Sequence, residues 1–242
     1  MQKILPNGRV ELLVDTYDGQ AIAYANDLAV AANGKIYFSD ASSKFGVRKS
    51  GGSYEASLLD ILEHGGHGRI IEFDPASGKT TLVADGLNFA NGVAISDDQQ
   101  YLMVSETGHY RVWRLWIDGP RAGQREVVID NLPGFPDNIN NGLNGRFWIG
   151  LVTPRNELVD DMSDKPWLRK LTQRLPAFVR PKAEPSSHII GITGDGQVLM
   201  NLQNTAATVP ALTGAYETQE AIWLSSLFGN RLARMDKDKL VD

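Results

Sequence analysis

Cysteine is absent from this chain of 242 residues. Its absence excludes disulfide bonds, thiolate metal sites and a cysteine nucleophile. The sequence also has no uninterrupted apolar run of about 18 residues, so it predicts no transmembrane helix. No basic segment followed by an apolar stretch opens the chain, and we therefore expect no signal peptide in it.

Long basic runs and two common catalytic motifs are also missing. The net charge is −5 with no extended stretch of lysine or arginine, so nucleic acid is not an expected partner. Gly-x-Ser-x-Gly does not occur, which removes the basis for a serine hydrolase elbow. The glycine-rich segment at residues 65–68 lacks the Lys-Ser/Thr pair of a phosphate-binding loop.

What the sequence does contain is typical of a globular protein with many turns. Hydrophobic residues make up 42% and charged residues 22% of the chain, with 24 glycines and 11 prolines. A chain of this length can bury the core of one large domain. We therefore expect residues 1–242 to belong to a single domain.

One pattern recurs three times, and each copy carries a polar side chain at the same place. Each copy begins with Asn or Asp and continues into a short strand, and a second strand starts ten residues after the leading residue. A turn rich in Gly, Asn and Asp lies between the two strands. The three leading residues are Asn26, Asn91 and Asp137.

These repeats predict a ring with a metal on its axis. Repeats of this size are typical of a solenoid or a propeller. Equivalent positions in a ring converge on the axis, so we expect Asn26, Asn91 and Asp137 to meet there. Three oxygen-bearing side chains at one point indicate a hard cation such as Ca²⁺. Turn formation explains any one of these residues alone and is the alternative to a metal site.

The strand pattern around the repeats predicts four-stranded blades, three of them complete and one partial. Turn signals separate short segments that alternate apolar and polar residues or are apolar throughout. The predicted strands are 28–30, 35–40, 68–74 and 80–84; 92–95, 100–106, 110–117 and 125–130; 139–141, 146–150, 187–193 and 197–201; 210–214, 221–226 and 231–236; and one preceding strand at 9–14.

Two insertions between the second and third strands of a blade have helical spacing. They predict helices near 53–63 and 160–176, with Ser53 and Asp164 as caps and Pro166 near the second start. This connection lies at the end of the blade where the innermost strand begins. We therefore expect both helices to overhang the face that carries the three polar residues. Loops on a rigid scaffold commonly select the substrate.

The beginning of the chain resembles the end of a blade whose inner strands are missing. We therefore expect the chain to be a piece of a longer propeller that lacks its first blade or more. Closure of the ring by the first residues against the last blade is the alternative.

Several segments together resemble the strictosidine synthase-like family, and the resemblance extends from about residue 5 to residue 234. The segments that carry it are 24–28, 68–75, 86–94, 114–120, 132–139 and 226–230, among which Leu-Pro-Gly-x-Pro-Asp-Asn at 132–138 is fairly specific. The resemblance implies membership of a wider clan that includes gluconolactonases, senescence marker protein and paraoxonases. Members of that clan are six-bladed β-propellers with an axial divalent metal, usually Ca²⁺, and mostly hydrolyse lactones or esters.

The resemblance also implies roles for individual residues. The clan's axial Asn ligands correspond to Asn26 and Asn91, and the paraoxonase-type Asp-Asn pair corresponds to Asp137 and Asn138. A Glu from the first blade usually completes that site, and we expect it to be missing together with that blade. The loss of one anionic ligand would weaken Ca²⁺ binding.

Strictosidine synthases themselves use a Glu on the last blade for condensing an amine with an aldehyde. The aligned position here is Thr213, which cannot act as a carboxylate base near neutral pH. Thr213 is therefore interpreted as a substrate contact, and the condensation is not the expected reaction.

Asp137 is the predicted catalytic carboxylate, because one oxygen can bind the cation while the other accepts a proton from water. His67, in the loop after the first predicted helix, is the second candidate catalytic residue. His64 in the same loop and Trp167 on the second helix are candidate substrate contacts. An exposed loop without a catalytic role is the alternative for the two histidines. We expect His109 to be structural and to lie on the opposite face.

The sequence thus predicts an all-β, six-bladed β-propeller that uses Ca²⁺ or another divalent cation to hydrolyse lactones or aryl esters. The expected partner is a small-molecule substrate. The alternative is a ligand-binding or scaffold propeller, in which the cation stabilises the structure and takes no part in catalysis. A Pictet–Spengler condensing enzyme is a third hypothesis, and the presence of Thr213 in place of a Glu argues against it.

Overall fold

The computed structural model describes residues 1–175, 184–204 and 206–239. Almost all regular structure is antiparallel sheet, in which strands that follow one another along the chain are neighbours. Two short hairpins precede the first blade. They consist of β1 (Gln2–Ile4) with β2 (Val10–Leu12), and of β3 (Thr16–Tyr17) with β4 (Gln20–Ala21).

Three four-stranded blades and one three-stranded blade follow, as the sequence predicted. The first contains β5 (Ala25–Val30), β6 (Ile36–Asp40), β7 (Gly68–Asp74) and β8 (Lys79–Leu87). The second contains β9 (Ala90–Ile95), β10 (Tyr101–Glu106), β11 (Arg111–Trp116) and β12 (Arg125–Ile129). The third contains β13 (Gly134–Asn141), β14 (Phe147–Pro154), β15 (Ser187–Ile192) and β16 (Val198–Asn204), and the fourth β17 (Leu212–Glu217), β18 (Ala221–Ser226) and β19 (Ala233–Asp236).

Short helices occupy the two insertions. The first holds α1 (Val47–Ser50) and α2 (Ser53–Glu63), and the second holds α3 (Glu157–Asp161) and α4 (Pro166–Arg174). Three 3₁₀ turns lie at Thr107–His109, Gly119–Arg121 and Lys237–Lys239. Across the part of the chain that is described, none of the helices is long and apolar enough to cross a membrane.

The predicted helix caps are wrong by one residue. Gly52 precedes α2 and Lys165 precedes α4, and neither helix has a side-chain cap. Ser53 is instead the first residue of α2. Pro166 takes the first position of α4, where its fixed φ and missing N–H suit a helix start. The last residue of the predicted second insertion, residue 176, lies outside the described residues.

Side chains on the two surfaces of the second blade pack against the first blade on one side and the third blade on the other. On β10, Leu102 and Val104 join the core between the first and second blades, whereas Met103 joins the core between the second and third. All three are fully buried. Because successive strand residues point to opposite surfaces, a continuous apolar run can fill two cores at once.

Glycine allows neighbouring inner strands to approach closely. A Cβ atom on Gly92 of β9 would overlap the backbone nitrogen of Ile139 on β13. A Cβ atom on Gly150 of β14 would likewise overlap the carbonyl of Thr213 on β17. Backbones in such contact leave no space for a methyl group, so these glycines set the distance between blades.

We expect Gly92→Ala to destabilise the protein, because the added methyl group must push β9 away from β13. Overpacking of this kind costs about 1–3 kcal/mol, which denaturation in urea would measure as a lower free energy of unfolding. Gly52→Ala is the control, since its Cβ would meet only the side chain of Glu55. Equal losses in the two variants would contradict the proposed role of Gly92.

Candidate metal-binding cavity

The three repeated polar residues line one cavity of about 520 Å³. Asn26 is the second residue of β5 and Asn91 is the second residue of β9. Asp137 is the fourth residue of β13. The first half of each inner strand therefore brings one of them to the cavity, at equivalent places in three consecutive blades.

Asn91 is held so that its side-chain oxygen stays available. The residue is only 4% exposed, and its Nδ2 donates to Thr107 Oγ1 at 3.1 Å. Thr107 Oγ1 in turn donates to the carbonyl of Pro136 at 2.7 Å, which fixes the arrangement between two blades. Asn91 Oδ1 is buried and has no hydrogen-bond partner. A buried acceptor without a donor is costly, and a bound cation would satisfy it.

Asp137 is half-buried and carries a perturbed carboxyl group. Burial raises the pKa of Asp137 to about 7, a hydrogen bond from Asn91 opposes that rise, and the charge of Asp27 adds to it. A carboxylate that is destabilised in this way favours a nearby positive charge.

Asp27 is a nearby carboxylate that the sequence analysis missed. Its Oδ2 accepts the backbone N–H of Val93 at 2.9 Å, and its Oδ1 accepts the N–H of Leu28 at 2.9 Å. Burial raises the pKa of Asp27, and these two N–H groups oppose the rise. Its position in the sequence could have indicated a role, because Asp27 directly follows the predicted ligand Asn26.

The donor atoms at the cavity suit a hard cation. Asn26, Asn91 and Asp137 offer only oxygen, which Ca²⁺ prefers. Asn26 is exposed, so the cavity is open beside it. Over residues 1–175, 184–204 and 206–239, no three His, Cys, Asp or Glu side chains come together as a metal site. Binding of a cation here would therefore depend on the amide oxygens.

The fourth predicted ligand lies elsewhere. Asn138 follows Asp137 on β13, and its side chain lines a second, shallower depression together with Asn140 and Tyr216. The register of β13 against β14 shifts between Pro136 and Ile139, and within this irregular stretch Asp137 and Asn138 line different cavities.

Apolar side chains form most of the cavity wall. Helix α2 contributes Leu58 and Ile61, so the first predicted insertion does overhang the polar residues. The second insertion reaches the cavity through Val159 of α3. At the mouth, the rings of Tyr54 and Phe228 meet edge to face, with centroids 5.7 Å apart. A mostly apolar wall with few polar groups is typical of a small-molecule site.

His64 faces a polar network behind α2. It follows the helix with a left-handed backbone, and its Nδ1 accepts from Asn88 Nδ2 at 2.5 Å. Its ring meets the ring of His109 at 4.4 Å, and His109 Nδ1 bonds to the buried Glu106 at 2.6 Å. The expectation that His109 lies on the opposite face is therefore wrong. The 3₁₀ turn that carries His109 joins the second and third strands, as α2 does, and so lies at the same end.

The other three candidate site residues, His67, Trp167 and Thr213, also have surroundings that differ from the predicted ones. His67 Nε2 bonds to Glu63 at 2.8 Å, and its ring lies 6.2 Å from Phe45. Trp167 on α4 is 69% exposed. Thr213 is buried and shares a hydrogen bond of 2.8 Å with Ser225. These positions place His67, Trp167 and Thr213 outside the group of residues that line the cavity.

Comparison with known proteins supports a relationship over most of the chain. Residues 26–120 match the family model described as strictosidine synthase. A protein from Arabidopsis thaliana named strictosidine synthase-like 10 is 33% identical over 230 residues, covering 91% of this chain and 59% of that protein. These matches confirm the predicted resemblance. The chain spans about half the length of the curated relatives it matches.

Solved structures support the fold. A gluconolactonase from Xanthomonas campestris has a TM-score of 0.65 at 21% identity, over 97% of this chain and 64% of its own. The calcium-binding protein regucalcin from Agrobacterium tumefaciens has a TM-score of 0.52 at 15% identity, over 85% of this chain and 55% of its own. At such identities the likeness concerns the fold, and it confirms the predicted β-propeller architecture.

We expect His64 to make stability depend on pH. Burial lowers the pKa of His64 from 6.5 to about 4, and the charges of His109 and Arg169 lower it further, against the attraction of Glu106. On acidification the unfolded chain therefore binds the proton first. The stabilisation is complete above pH 6.5 and is lost as the pH falls toward 4.

His64→Gln keeps an acceptor for Asn88 but cannot titrate. Urea denaturation between about pH 7 and pH 4.5 should show a larger loss of stability in the wild type than in this variant. Burial raises the pKa of Asp60 to about 6 and that of Asp137 to about 7. Both effects favour folding on acidification, but they are common to the two proteins and cancel in the comparison. Parallel pH profiles would show that His64 has no such role.

Proposed function

From this resemblance to strictosidine synthase-like proteins, we propose that the chain belongs to a metal-dependent hydrolase of lactones or aryl esters that uses Ca²⁺. The substrate is a small molecule that enters the cavity beneath α2. The chain spans about half the length of its curated relatives. The proposal therefore concerns only the activity of this site.

The observation that supports the proposal is that Asn26, Asn91 and Asp137, from three consecutive blades, line one cavity. Turn formation alone would not require three separate blades to bring polar side chains to one cavity. Nor would it leave Asn91 Oδ1 buried without a donor.

Asn26, Asn91 and Asp137 would hold the cation through oxygen atoms. A bound Ca²⁺ supplies Lewis-acid polarisation of an ester or lactone carbonyl. Asp137 has two carboxylate oxygens, so one can contact the cation while the other accepts a proton from the attacking water. Thr107 keeps Asn91 in place through its hydrogen bonds.

The apolar wall supports the choice of substrate class. Leu58 and Ile61 from α2, together with Phe89 and Phe135, would contact the organic part of an ester and reduce access of bulk water. Water exclusion strengthens electrostatic interactions at the reacting carbonyl.

A ligand-binding propeller without turnover is the second candidate. It is favoured by the positions of His64 and His67, whose side chains bond to Asn88 and Glu63 outside the cavity. Asp137 would then hold a structural cation beneath a bound ligand. The condensation reaction of strictosidine synthases receives no support, because Thr213 replaces the expected Glu and bonds to Ser225.

Phenyl acetate and a panel of lactones, assayed with the full chain, test the proposal. We expect turnover that EDTA abolishes and added Ca²⁺ restores. Asp137→Asn should lower turnover by about 100-fold or more, since it removes a cation ligand and the proton acceptor. Asp97→Asn makes the same chemical change on an exposed turn and should leave turnover unchanged. Ca²⁺ binding without turnover of any ester or lactone would favour the ligand-binding alternative.

A further inference from the structure

Asp27 connects the first two blades next to the cavity. It lies on β5 directly after Asn26, and its Oδ2 accepts the N–H of Val93 on β9 at 2.9 Å. Val93 is two residues beyond Asn91 on the same strand. The bond therefore fixes the part of β9 that carries Asn91 relative to the part of β5 that carries Asn26.

The N–H of Val93 needs such a partner because β9 is an inner strand. In its sheet β9 pairs only with β10, so one edge of the strand faces the axis without a neighbouring strand. An unpaired backbone N–H that is buried at this edge is costly. The Asp27 carboxylate satisfies it, and its own backbone is anchored because Asp27 N–H donates to the buried Ser39 Oγ at 3.0 Å.

Asp27 also places a second carboxylate beside the cavity that Asn26, Asn91 and Asp137 line. Its carboxylate acts on Asp137 by repulsion. Arg155, a basic side chain that lines the same cavity, is already paired with Asp160 at 2.8 Å. Two half-buried carboxylates near each other repel, and a positive charge between them would relieve that repulsion. Beside them, Asn91 Oδ1 is buried and has no donor, and Asn91 is only 4% exposed.

We propose that Asp27 is a positioning residue of the cation site, which holds Asn91 in place through Val93 and supplies the second negative charge. The inference depends on the cation site of the proposed function but not on hydrolysis. Asp27 acts through the backbone of β9 and through its charge, while Asn26, Asn91 and Asp137 make the direct contacts.

Two substitutions separate the charge from the bond. Asp27→Asn keeps an oxygen that can accept from Val93 but removes the charge, and Asp27→Ala removes both. Isothermal titration with CaCl₂ should show binding about 10–100-fold weaker for Asp27→Asn, the usual effect of losing an outer partner of a metal site. Binding should be weaker still for Asp27→Ala, with a lower melting temperature even without Ca²⁺. Asp97→Asn should bind like the wild type.

The outcomes are distinct. Unchanged Ca²⁺ affinity in Asp27→Asn would overturn the charge role of Asp27 while leaving the proposed function intact. If the wild type takes up no Ca²⁺, both the cation site and the role of Asp27 are refuted. Ca²⁺ binding that Asp27→Asn weakens, in a protein without hydrolytic turnover, would support the inference and contradict the proposed reaction. If Asp27→Ala does not fold, the comparison of Asp27→Asn with Asp97→Asn decides the question.

Discussion

The close approach of neighbouring inner strands is the constraint on which the rest of this structure depends. Gly92 lets β9 lie directly against the backbone of β13, and Thr107 joins the same two blades through Pro136. Asp27 makes the corresponding connection between β5 and β9. At these short distances, side chains from three blades line one cavity. The packing of the cores and the geometry of the candidate site therefore have the same origin.

Much of the architecture followed from local patterns. The strand predicted at residues 68–74 coincides with β7, and that at 221–226 coincides with β18, because turn residues delimit both. Asn26, Asn91 and Asp137 could be grouped because a repeat places equivalent residues at equivalent positions. Their common cavity is the part of the site that sequence periodicity alone can predict.

The rest of the site depends on relations that sequence does not encode locally. The direction of the His64 side chain depends on where α2 ends. His64 itself has a left-handed backbone at that end, and its side chain bonds to Asn88 instead of lining the cavity. Asp27 gains its importance from Val93, which is 66 residues distant along the chain. Asn138 and Asp137 lie in an irregular stretch of β13 and line different cavities, although the family resemblance pairs them as ligands.

The aromatic contact between Tyr54 and Phe228 has an evolutionary consequence. One ring belongs to a helix inserted in the first blade and the other to the turn after β18, so neither is part of the strands that position Asn91 and Asp137. Amino-acid replacements at the entrance can alter which molecules pass without disturbing the oxygen atoms below. Relatives with the same interior can thus diverge in ligand preference through changes confined to two peripheral segments.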